Sequence, residues 1–181
     1  MTKTEWFLQH IYNQMLFAAS LLKYFVRRKV LGQNIPLLAS FKLTDRCNLA
    51  CRACPFHMRA SEERAHMDWD RAVLSLETIR EKGTQIVVFE GGEPFLWRDG
   101  GRNLSDLVLY AKGLFPRVAV TTNGTFPLSV PADILWVSVD GTAETHNRLR
   151  SGSFAQVRHH LQNASHNNIL VHFTLNRENW R

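Results

Sequence analysis

The sequence predicts an α/β fold: a parallel sheet of about five strands forming a partial (β/α) barrel, with a helix added at the N-terminus. Two patterns carry this expectation. Short, continuous apolar runs rich in β-branched residues alternate with stretches of helical periodicity, the order of strand and crossover-helix units. The runs do not alternate apolar with polar, so the strands are buried on both faces, as parallel strands are. The length of 181 residues fits one domain with an appendage. A composition 45% hydrophobic and 21% charged excludes a disordered tail, a collagen and a coiled-coil rod. Three cysteines are too few for a disulfide framework.

Taken in order, residues 1–35 form a helical segment and residues 36–181 the α/β unit. In residues 5–31, Phe7, Ile11, Met15, Ala18, Leu22 and Phe25 recur every three or four positions. After Pro36 the period changes. Residues 37–43 are a short apolar run ending at Thr44-Asp45, and a cysteine loop follows. Residues 68–82 are helical, with Ala72, Leu76 and Ile79 along one side, Asp68 as cap and Gly83 as stop. Residues 86–89 are a buried strand by length and β-branching, ending at Gly91-Gly92. Residues 104–112 are helical, 117–121 a strand, 134–139 another, 154–164 helical and 169–175 the last strand. The crossover between the third and fourth strands is short and carries Pro127 and Pro131, so it has little room for a helix.

Charge is concentrated at the front. Lys3, Lys23, Arg27, Arg28 and Lys29 against Glu5 supply +4 of the net +6. The rest of the chain is nearly balanced and has no basic stripe, so no nucleic-acid partner is expected. The uncharged run between Glu5 and Lys23 includes Gln9, His10, Asn13 and Gln14, which is short and wet for a membrane span. Glu5 in front and Arg27-Arg28-Lys29 behind make it a poor secretory signal. Two readings remain. In the favoured one the helix packs its apolar stripe on the domain. In the other, residues 5–31 make a peripheral membrane contact, with aromatics in the headgroup layer and the basic cluster on anionic lipid.

The unusual residues fall at the carboxyl ends of four different predicted strands: the cysteine loop, Gly91-Gly92-Glu93-Pro94, Thr122-Asn123-Gly124 and Ser138-Val139-Asp140-Gly141. In a parallel sheet or barrel that edge is where ligands bind. Taken singly, Asn-Gly and Asp-Gly are common turns. His159, His160 and His166 read as surface residues, and His172 as a core or rim histidine. Within the loop, Cys47, Cys51 and Cys54 form C-x3-C-x2-C. Thiolates suit zinc or iron–sulfur clusters. His57 as a fourth ligand would complete a structural zinc site. Three cysteines on a four-iron cluster would instead leave one iron open to a small molecule, and the position on the rim favours this second reading.

The cysteine motif followed by Gly-Gly-Glu-Pro, Thr-Thr-Asn-Gly and Ser-Val-Asp-Gly, in that order and spacing, resembles the radical S-adenosylmethionine superfamily. The resemblance runs from about Leu37 to Asn179, and the branch it is similar to contains the molybdenum-cofactor and pyrroloquinoline-quinone synthesis enzymes. It implies that Cys47, Cys51 and Cys54 hold a [4Fe–4S] cluster whose fourth iron is chelated by S-adenosylmethionine. It further implies that Gly91, Gly92 and Glu93 receive the methionyl amino group, with Pro94 ending the strand. Ser138 helps hold the carboxylate or ribose, and Arg150, in His146-x3-Arg150, grips the methionyl carboxylate. Asn123 and Asp140 share the rim. Ala53 stands where much of the family has an aromatic against adenine, with Phe56 near enough to substitute in part. Relatives continue beyond five units to a sixth strand and often a cysteine-rich tail, so the resemblance implies about five of the family's six units here, a barrel incomplete at the C-terminus.

The activity implied is reductive cleavage of S-adenosylmethionine to a 5′-deoxyadenosyl radical that takes hydrogen from an unidentified substrate. It calls for a low-potential electron donor of ferredoxin or flavodoxin type and a reducing cytoplasm. Two other functions are kept: a catalytically silent cluster- or S-adenosylmethionine-binding module completed by a partner chain, and a zinc-stabilised interaction domain.

Overall fold

A computed structural model of the chain describes residues 3–52, 54 and 65–180, with side chains at 3, 4, 6 and 10 excepted. The expectations that fell on Ala53, Phe56 and His57 lie outside the described residues. Helix α1 (Lys3–Phe25) continues through a π-helical turn (Val26–Val30) and leads to β1 (Leu38–Thr44). Next come α2 (Trp69–Glu81), β2 (Ile86–Gly91), a two-strand hairpin of β3 (Arg98–Asp99) and β4 (Arg102–Asn103), and α3 (Leu104–Leu114). The chain then runs through β5 (Arg117–Thr122), β6 (Ile134–Ser138), α4 (Ala143–Leu149), α5 (Phe154–Gln162) and β7 (Ile169–His172).

Five strands form one parallel sheet in the order β1-β2-β5-β6-β7, with β1 and β7 as its edges. The α/β class and the five strands agree with the sequence. Alternation along each strand sets two faces. Phe41, Leu43, Val87, Phe89, Val118, Val120, Leu135 and Val137 point to one side and make the core with Ala72 and Leu76 of α2, Leu107 and Ala111 of α3 and Val157 of α5. Full burial of each such Leu, Val or Phe contributes about 1.5–3 kcal/mol. The helices begin where capping dictates. Asp68 accepts the Arg71 N–H at 2.7 Å, and Asn103 with Asp106 forms a capping box on α3.

The connection from β5 to β6 carries no helix, as its prolines required. It buries Leu128, Val130 and Ala132 in the core instead. α4 is an element the sequence pattern did not separate from the turn before α5. The N-terminal helix differs most from the favoured expectation. It touches the sheet through Phe17, whose ring lies 4.2 Å under the Arg117 guanidinium, and through Gln14, which accepts from Arg117 at 2.8 Å. Its far end is held by buried Tyr24, whose hydroxyl donates to the Ile35 carbonyl at 3.4 Å. The stripe Phe7, Ile11, Met15, Ala18, Leu22 and Phe25 is not the packed face; it is exposed.

Candidate functional site

The cysteine loop leaves β1 at Thr44 and is tied down from two neighbouring segments. Asn48 Nδ2 donates to Thr125 Oγ1 at 2.8 Å, beyond the end of β5. The Ala50 N–H donates to Ser151 Oγ at 3.0 Å and the Arg52 N–H to the Leu149 carbonyl at 3.1 Å, both at the end of α4. Cys47, Cys51 and Cys54 are half-buried free thiols, and all three line one cavity of about 340 Å³. Among the described residues no three His, Cys, Asp or Glu side chains converge on a single-ion site. Three thiols set around a cavity are a soft donor set that leaves a coordination position for a ligand, so the residues fit an iron–sulfur cluster. Burial pushes the Cys47 and Cys51 thiols up; Glu93 adds to this at Cys47, and Arg150 opposes it at Cys51. Metal binding there must release protons.

Beside the loop, β2 ends in two glycines whose lack of a side chain is required. A Cβ on Gly91 would lie 2.3 Å from the Thr44 carbonyl oxygen, and one on Gly92 would lie 2.2 Å from that of Arg46. Gly91 also has φ +143°, outside the range of ordinary residues. This close passage lets the Gly92 N–H donate to Thr44 at 2.6 Å and the Glu93 N–H to Arg46 at 2.8 Å. The strand end and the cysteine loop are thereby held as one piece.

Glu93 sits behind the cavity wall. It is fully buried, and its carboxylate accepts from Thr122 Oγ1 at 2.9 Å, the Asn123 N–H at 2.7 Å and the Phe95 N–H at 3.1 Å. With its oxygens so used, it joins β2 to the end of β5. Burial pushes its carboxyl up to about 7 from an ordinary 4.5, against the pull of these three donors. The sign of the consequence follows from linkage. Between pH 4.5 and about 7 the unfolded chain releases this proton and the folded chain keeps it, so stability falls as pH rises through that window. At about 1.4 kcal/mol per pH unit the loss is about 3 kcal/mol. Denaturant unfolding across this window should show the fall in the unaltered chain and a flatter profile in Glu93→Gln. Parallel profiles would mean that Glu93 is ionised throughout.

On the other side of the cavity, Asp140 accepts from Arg150 Nε in a short ion pair and from the Thr174 N–H at 3.0 Å. Buried His146 takes the Asp140 N–H on Nδ1 at 3.3 Å, which leaves its Nε2–H for Ser153 Oγ at 3.0 Å. The Ser153 hydroxyl in turn donates to the Arg150 carbonyl at 2.8 Å. Burial, helped by the nearby Arg150 charge, lowers the His146 pKa, so a neutral ring does this work. Asn123 completes the rim. Its Nδ2 donates to Asn48 Oδ1 at 2.9 Å and lies 3.7 Å from Cys47 Sγ.

Thus Cys47, Cys51, Cys54, Gly91, Gly92, Asn123, Ser138, Asp140 and Arg150 all line the same cavity, whereas Glu93 and Pro94 are buried behind it. The sequence reading did not single out Thr121, Thr174 or Asn176, which also line it, nor the bridging role of His146. Thr121 was visible as the residue two before Asn123; its hydroxyl is buried without a partner. His172, read as a core or rim residue, is on the rim.

A family model for the radical SAM superfamily matches residues 41–177, which include all three cysteines and every strand end described above. The chain belongs to the radical SAM superfamily. Among its relatives in this superfamily are the Fe-coproporphyrin III synthase of Methanosarcina barkeri, 28% identical over 153 residues, covering 78% of this chain and 37% of the relative. The sporulation killing factor maturation protein SkfB of Bacillus subtilis is 27% identical over 167 residues, covering 82% of this chain and 38% of the relative. This radical SAM chain therefore spans little more than a third of the length of either. Neither is a molybdenum-cofactor or pyrroloquinoline-quinone enzyme, so the branch expected from the motifs is not the one these relatives represent. The fold is shared with methylornithine synthase at a TM-score of 0.60 and 19% identity, covering 89% of this chain and 50% of that one.

Proposed function

We propose that the chain binds a [4Fe–4S] cluster on Cys47, Cys51 and Cys54 and S-adenosylmethionine beside it, as the catalytic unit of a radical enzyme. The observation that carries this reading is that three thiols and the ends of four parallel strands line one cavity. When bound and reduced, such a cluster supplies the electron that cleaves S-adenosylmethionine to a 5′-deoxyadenosyl radical, which removes hydrogen from a substrate carbon. The chain's own part is binding and orientation. Backbone carbonyls of Gly91 and Gly92 accept from the methionyl ammonium, while Glu93 holds that turn rigid from behind rather than touching the ligand. Arg150, aimed by Asp140 and His146, faces the methionyl carboxylate, and Ser138 the carboxylate or ribose. Asn123 holds the ribose side of the rim against Cys47. An electron donor of ferredoxin or flavodoxin type and a reducing, cytoplasmic setting go with this reading. The substrate is a separate molecule that enters over the same rim.

Arg150→Ala tests the ligand half of the proposal. Calorimetry on the reconstituted protein should show S-adenosylmethionine binding about 10- to 150-fold weaker, the equivalent of about 1.5–3 kcal/mol for a hydrogen bond to a charged group. Iron content should be unchanged. Equal affinity in the variant would remove Arg150 from the site.

A further inference from the structure

The apolar side of α1 is unaccounted for by the fold or by the proposed reaction. Leu8, Ile11, Met15, Leu22 and Val26 are exposed, Met15 and Leu22 at 67% each, and Phe7 and Phe25 extend the same stripe at its two ends. At about 100° per residue these positions share one side of the helix. The docking contacts lie on another flank, Phe17 on Arg117 and Tyr24 on Ile35, with Leu21 half-buried beside them, and Gln14 reaches Arg117 from the edge of the stripe. The helix is therefore docked through Phe17, Leu21 and Tyr24 and leaves the stripe facing outward. A row of large exposed apolar side chains on one helix marks an interaction surface.

Charge identifies the occupant. The first 35 residues hold five basic residues against Glu5, and three of them, Arg27, Arg28 and Lys29, follow the exposed stripe directly in the π-helical turn. Arg27 and Arg28 are steadied there by Gln33 and Asn34, neutral partners that leave both charges in place. No described helix is long and apolar enough to cross a membrane. A helix with one apolar side, a basic end and insufficient hydropathy to span lies in the plane of a bilayer surface. We propose that α1 is a peripheral membrane anchor that seats its outward stripe in the headgroup layer of an anionic bilayer, with the exposed Arg28 and Lys29 on the lipid phosphates. Its contact point on the domain, Arg117, is the first residue of β5, whereas the cysteine cavity lies at the strand carboxyl ends. The anchor and the cavity are thus at opposite ends of the sheet, and the cavity stays open to soluble partners. The inference does not depend on the proposed reaction.

Sedimentation of the full chain with vesicles tests it. The chain should pellet with mixed phosphatidylcholine–phosphatidylglycerol vesicles and not with phosphatidylcholine alone, and salt should release it. Changing Arg28 and Lys29 together to Gln should weaken binding by about fivefold per charge, roughly 25-fold in all. The double variant Met15→Glu, Leu22→Glu alters exposed positions, so it should keep the melting temperature of the unaltered chain and lose vesicle binding. Three results would overturn the proposal: no pelleting with either vesicle, equal pelleting with both, or a lipid-free dimer that the double variant converts to monomer. The last would mean that a second copy covers the stripe.

Discussion

Replacing any one of Cys47, Cys51 or Cys54 with Ala should abolish the iron–sulfur centre and all turnover of S-adenosylmethionine. After anaerobic reconstitution the unaltered protein should be brown and hold about four irons per chain, the content of one [4Fe–4S] cluster. The three thiols line one cavity, and the loop that carries them is anchored by backbone and Asn48 contacts that do not involve sulfur. The variants should therefore fold with the loop in place and fail only as ligands. Two thiolates hold a four-iron cluster poorly, so the loss should be close to complete rather than graded. The zinc alternative makes the opposite forecast: tight zinc, no iron chromophore, and sensitivity to His57→Ala.

The second large effect is on folding. Gly92→Ala should destabilise the chain by about 2–5 kcal/mol, combining backbone strain with the loss of two close hydrogen bonds. The added Cβ would meet the Arg46 carbonyl oxygen at 2.2 Å and that of Asp45 at 2.7 Å, and neither is a flexible side-chain end that could swing away. The ends of β1 and β2 must separate, which breaks the Gly92–Thr44 and Glu93–Arg46 bonds and releases the start of the cysteine loop. Gly91→Ala should behave alike, with a disfavoured φ added. Gly113→Ala is the internal control. Nothing lies within 4 Å of its Cβ position near the end of α3, so that change should be neutral or stabilise by up to about 1 kcal/mol. Denaturant midpoints of the three variants check this, and equal midpoints would show that the strand end can yield.

How much of this was legible differs by element. The strands could be read because each is a short β-branched run stopped by Gly, Asn or Asp, signals that are local. The convergence of four strand ends followed from parallel topology alone, and it located the cavity-lining residues Asn123, Ser138 and Asp140 without any contact being known. Periodicity found the stripe on α1 but could not say which way it faces. That was decided by contacts distant in sequence, Phe17 on Arg117 and Tyr24 on Ile35, which turn their own flank of the helix inward. The surroundings of Glu93 were hidden for a similar reason. A carboxylate in a glycine-rich turn gives no sign of its burial or of the donors from Thr122, Asn123 and Phe95. His146 acts through Asp140 and Ser153, and a single histidine in a helix gives no sign of such a bridge.

The central claim is that the three thiols and the rim around them support reductive cleavage of S-adenosylmethionine. The most direct measurement is chromatographic: the anaerobically reconstituted chain is incubated with dithionite and S-adenosylmethionine, and 5′-deoxyadenosine and methionine are quantified. Both should form in equal amounts, and neither should form with the Cys47→Ala, Cys51→Ala or Cys54→Ala variants. A chain that holds its iron and binds S-adenosylmethionine yet yields no 5′-deoxyadenosine above the variants would contradict the claim and make the site a silent binding module.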